Sequence, residues 1–289
     1  TWYMTPVPVS SDTTVVNSEL VAVSGSATNK VELHDVIFDG WAQAHFSDPN
    51  SVLRYGTGSV IKLNADQTLT TALYFAHNNA SESIVIDLNG YDLDMGSDNA
   101  ALTISATDAT VTIKNGRLIN FDDNSGAPKL TSGDAYSTWV FQDIDMVLAG
   151  NTTLSGNNIQ FKGDCTVTGT GDYSLKCYHT PITIAQGARL TVDKNMTLAL
   201  HGNGTSTDTS ITFASNNSTL SLEGATFDVS NLVAAPTFTH GTIRIDDVAT
   251  FAGDMTLGSS TAILDLDIDL MPAASIEISS GTVTYANAS

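Results

Sequence analysis

From residue 58 onward, apolar residues come in short pairs separated by one polar residue, and a pair recurs about every 7 to 13 residues. Ile84/Ile86/Leu88, Val111/Ile113, Ile182/Ile184, Leu190/Val192, Leu220/Leu222 and Ile243/Ile245 are examples, most followed closely by Gly, Asn or Asp. Alternation by two places one face of a strand inside and the other in solvent. No window carries the i, i+3, i+4, i+7 spacing of a capped helix. The chain is therefore read as all-β, built of very short strands. Its abundance of Thr, Ser and Asn fits that reading, because these residues favour strands and turns over helix interiors.

Three all-β architectures compete. A sandwich needs strands of about five or six residues with hairpin signals. A propeller needs a blade repeat of about 40–50 residues, which is not visible. A parallel β-helix needs three short strands per coil, turning at Gly, Asn and Asp corners, and the spacing favours it. SIVIDLNGYDL (83–93) and ATVTIKNGRL (109–118) carry the same Asn-Gly corner, and STLSLEGATFDV (218–229) repeats the order of apolar, Gly and apolar positions.

The run VIDLNGYDLDMG…ALTISATDATVTIKNGRLIN resembles the coils of right-handed parallel β-helix proteins of the pectate-lyase-like superfamily, over most of residues 58–285. The resemblance implies a single solenoid of about ten coils. It implies little about activity, because such folds carry lyases, hydrolases, adhesins and spikes alike. Residues 58–289 are assigned to the β-helix and 1–57 to an N-terminal arm and cap. Pro6 and Pro8 forbid a helix at the start, so Pro6, Val7, Pro8 and Val9 form an extended arm, either loose or donated as a strand to a neighbouring subunit. Residues 31–57, with a helical turn near Trp41, would cover the first coil's open edge.

Charge narrows the partners. Lys and Arg number 11 against 31 Asp and Glu, a net charge of −20. A phosphate backbone or an anionic bilayer would be repelled, and no run approaches the ~20 apolar residues of a membrane-spanning helix. Nucleic acid and membrane insertion are therefore not expected. Thr1 in place of Met suggests a mature chain whose leader has been removed, hence an extracellular or cell-surface location. The acceptor triplets at Asn79, Asn151, Asn195, Asn203, Asn216, Asn217 and Asn287 are no more than permitted glycosylation sites.

The only cysteines, Cys165 and Cys177, flank a Gly-Thr-Gly-Asp turn that reads as a hairpin. A disulfide between them is the expectation and two buried thiols the alternative. ILDLDIDL (263–270) would send Leu264, Leu266, Ile268 and Leu270 inward and its aspartates outward. Residues on one strand face lie about 6.6 Å apart, too far to share an ion. Asp265 and Asp267 with Asp247 from the preceding coil are therefore the candidate calcium ligands, and no other cofactor is expected.

The enzymes of the resembled superfamily imply carboxylate groups with an Arg or Lys base, or an Asp trio with His-Gly and Arg-x-Lys. This chain offers only His201-Gly202, Asp122-Asp123 and Arg244-Ile245-Asp246, none of them complete. The six histidines show no metal-ligand spacing. The expected function is a non-enzymatic structural subunit that associates with itself into a filament, appendage or coat. The alternative is a glycan-binding adhesin or spike using Trp41 or Trp139, and a polysaccharide lyase or hydrolase is the least supported reading.

Overall fold

A computed structural model describes residues 58–285 except 71, 76–82, 105–107, 124–127, 133–136, 156–157, 203–208 and 267–273, together with the earlier strands 14–16, 31–33, 36–39 and 53–55. The described elements are all strands, and every strand pairing is parallel. Successive strands of one turn lie on three faces. The first face includes Val60–Lys62, Ser83–Asp87, Asn158–Lys162 and Ser210–Phe213; the second includes Asp92–Asp94, Asp164–Gly169 and Arg189–Val192. The third is a nine-stranded sheet from Ala72–Phe75 to Ser275–Ser280, one strand per turn, so the chain forms a parallel β-solenoid of about eight turns. At about 4.8 Å per rung this spans on the order of 40 Å.

The ladder also runs back into the segment assigned to arm and cap. Thr14–Val16 pairs with Val36–Phe38 of its own chain, and Ile37–Asp39 pairs with Val60–Lys62. The turn expected near Trp41 and the arm residues Pro6, Val7, Pro8 and Val9 lie outside the described residues.

Alternation becomes columns because each rung repeats the phase of the last. On the first face Ile61, Ile86, Ile113, Phe141, Phe161, Ile184 and Phe213 follow one another in register. On the second, Leu93, Leu118, Met146, Val167, Val192, Leu222 and Ile245 do the same. All of these side chains are buried. Aromatic pairs reinforce the core: Phe141 and Phe161 stack with centroids 5.7 Å apart, and Phe213 and Phe238 meet at a tilt with centroids 5.4 Å apart. Each such pair adds about 0.5–1.5 kcal/mol beyond the area it buries.

The corners follow from backbone chemistry. Asn89, Asn115 and Asp143 adopt left-handed φ of 53°, 60° and 53°, a region that Asn and Asp tolerate better than most side chains. Asn115 and Asp143 sit inside the long strands Thr110–Phe121 and Thr138–Leu148, letting each bend from the first face into the second. The corner amides also bond between rungs, Asn89 Nδ2 to the Leu63 carbonyl at 3.1 Å and Asn115 Nδ2 to Asp87 Oδ1 at 3.0 Å. Gly116 is required by close approach, since a Cβ there would lie 2.5 Å from the Tyr91 carbonyl oxygen and 2.6 Å from Leu88 Cβ.

Candidate functional site

Trp139 does not face a ligand. It is 1% exposed and stands in a column between Val111 and Ile159. Its strand shares the phase of Phe141, and both point inward. An indole buried among aliphatic rungs cannot stack on a sugar, so the glycan reading loses this residue. Trp41 lies outside the described residues.

The expected hairpin at the cysteines does not form. Asp164–Gly169 is a second-face strand paired with Asp145–Leu148 and Arg189–Val192. Tyr173–Tyr178 is a third-face strand paired with Thr152–Ser155 and Met196–His201. The Gly-Thr-Gly-Asp segment rounds a corner between faces rather than reversing the chain. Both thiols are free and buried, Cys165 in register with Leu190 and Cys177 between Leu154 and Leu200. Burial pushes Cys165 up to about 11 and Cys177 to about 12, so neither is a thiolate at neutral pH.

The acidic candidates are dispersed. Asp265 is exposed and lies in register with Arg244 rather than with an aspartate. Asp247 sits past the end of the preceding strand, where its Oδ1 accepts the Val248 N–H at 2.8 Å. Asp267 lies outside the described residues. Among the described residues no group of three or more His, Cys, Asp or Glu is placed to hold a metal ion.

The incomplete catalytic echoes have structural partners. Asp122 Oδ1 accepts from the buried Lys129 ammonium at 2.6 Å, and Lys129 also donates to the Met95 carbonyl. Asp123 takes both the N–H and the hydroxyl of Thr153 at 2.7 Å. Asp246 holds Arg244 Nε at 2.9 Å and accepts the Ser221 hydroxyl at 3.1 Å. These carboxylates tie neighbouring segments together, and no two of the three motifs share a site.

Two places on the described surface are built differently from the rest. The first is the last full rung. Ala262–Leu266 continues the second face, Ser275–Ser280 the third, and Val283–Tyr285 returns to the first. Leu264 and Leu266 lie in register with the buried Ile243 and Ile245, yet Leu266 is 37% exposed. Ile263 is 47% and Ile278 53% exposed, although Ile278 follows the buried Phe251 in its column. Among the described residues no strand pairs beyond this rung, and Leu266 and Ile278 are exposed there although the columns they continue are buried.

The second place is a third-face corner where Tyr178, His179, His201 and Asn231 gather. Tyr178 is in register with His201, and His201 with Asn231. Burial, and next the Lys176 ammonium, hold His201 below the usual imidazole range, against the pull of Asp228. Sequence reasoning passed over this cluster. The phase of Leu175 and Cys177 could have found it, because it turns Tyr178 outward. No protein family, curated protein or solved structure matches the chain significantly.

Proposed function

We propose that this chain is a non-enzymatic extracellular structural protein, a non-catalytic member of the pectate-lyase-like β-helix proteins that stacks with itself to build a surface filament, appendage or coat. The observation that carries the reading is the last described rung, where Leu266 and Ile278 continue buried columns yet are exposed, and beyond which no described strand pairs. Open strand edges are templates for further strands. The partner that supplies a matching rung is one with the same three-faced cross-section and the same spacing, which a second copy of this chain has. Joining one end to the opposite end is heterologous and propagates into fibres rather than closing.

The charge of −20 opposes the joint. Screening by salt shortens that repulsion to about 8 Å at 0.15 M ionic strength, so association rises with salt. Sedimentation velocity over a concentration series tests this. The wild-type chain should form larger species as salt and concentration rise, and Ile278→Lys should remain monomeric with an unchanged circular dichroism spectrum. A variant that assembles as the wild type does would sink the reading.

A further inference from the structure

Three successive rungs of the third face set Lys176 and Tyr178, then Ala199 and His201, then Asp228 and Asn231 beside one another. Tyr178 is the one large exposed aromatic among the described residues, at 36%. The Tyr178 and His179 rings meet in a T-shape, centroids 4.4 Å apart at 82°, and Lys176 Nζ stands over the Tyr178 ring, 5.5 Å from its centroid, on a mobile side chain that a ligand can displace. Across the next rung Asn231 Nδ2 lies 3.5 Å from His201 Nε2 and 3.3 Å from Ser230 Oγ. Asp228 Oδ1 accepts the Ser230 hydroxyl at 2.6 Å.

We infer that this corner is a binding site for a neutral saccharide. The site goes beyond the assembly reading and shares no residue with the terminal rung. A sugar ring has an apolar C–H face and a rim of hydroxyls that both donate and accept. Tyr178 supplies an aromatic surface for the first. The His201 imidazole, the Asn231 amide and the Asp228 carboxylate supply directed partners for the second.

Charge and desolvation decide against other ligands. A wholly apolar ligand would strip water from His201, Asn231 and Asp228 and return no hydrogen bonds. A polyanion would find one cation at the corner, Lys176, set against Asp228 and a chain of net charge −20. An uncharged polyol meets neither cost.

The test is saturation-transfer NMR on the wild-type chain and on Ile278→Lys; the site shares no residue with the terminal rung, so both should bind alike whatever becomes of the assembly reading. The probes are cello-, malto-, manno- and chito-oligosaccharides, with a uronate and a sulfated oligosaccharide as controls. At least one neutral probe should receive saturation, at a level indifferent to salt. Tyr178→Ala and Asn231→Ala should each weaken binding about tenfold, while Tyr178→Phe keeps most of it. Tyr178 is half out of the core, so its loss leaves the fold intact, which circular dichroism verifies. Three results would overturn the site: no transfer from any neutral probe at millimolar concentration, transfer that survives Tyr178→Ala, or binding confined to the charged controls and abolished by salt.

Discussion

The rungs between residues 138 and 201 and the rung between 262 and 285 are written in the same alternating pattern, yet they end in different states. In the middle, Phe141, Phe161, Leu190, Val192, Leu198 and Leu200 are all buried. At the end, Ile278 stands in line with the buried Phe251 and is itself half exposed. Phase alone buries nothing in a solenoid. A side chain is buried when its own face points inward and a further rung closes the column above it. The difference locates stability in the stack.

Substitutions on the two sides sharpen that contrast. Phe227 sits in a closed column between Leu198 and Phe251, and Phe227→Ala should cost about 3–5 kcal/mol in urea unfolding, the range for a large side chain removed from a packed core. Gly116→Ala is next, at about 1–3 kcal/mol, because backbone and Leu88 must shift to admit the methyl group. Ile278→Ala should stay within about 1 kcal/mol. A terminal substitution as costly as Phe227→Ala would mean that the last rung is closed after all.

The thiols give a third effect, one that depends on pH and has a definite sign. Both folded-state values lie above the ordinary 9.0, so between pH 9 and 11 the folded chain keeps protons that the unfolded chain releases. Stability is then lost as pH rises, by about 1.4 kcal/mol per pH unit per thiol. Urea midpoints of the wild type and of Cys165→Ala/Cys177→Ala should diverge in slope above pH 9 and run parallel below pH 8. Slopes that stay parallel throughout would place both thiols in contact with water.

The contrast also explains which features were legible in the sequence. Short apolar pairs with Asn and Gly corners identify a parallel solenoid, because inward phase and corner chemistry are both local properties. Asn115 and Asp143 show this well, with left-handed φ where the chain must bend. Rung-to-rung registry is not local. Cys165 and Cys177 resemble a hairpin in sequence, and the corner that separates their faces depends on which rungs precede and follow. Trp139 failed as a surface residue for a related reason: Trp139, Val140 and Phe141 are consecutive buried residues, so alternation is interrupted at the start of that strand, where the phase had to be read. Asp265 was set beside Asp247 by counting residues per coil, whereas the ladder sets it beside Arg244. Tyr178 was within reach of the phase argument, but no motif drew attention to it.

Negative-stain electron microscopy of the purified wild-type chain, at low and at physiological salt, tests self-stacking most directly. Filaments or regular end-to-end oligomers, growing with salt and absent from Ile278→Lys, are the predicted result. Monodisperse short rods on the order of 40 Å long, the same at every salt concentration and in both proteins, would contradict it.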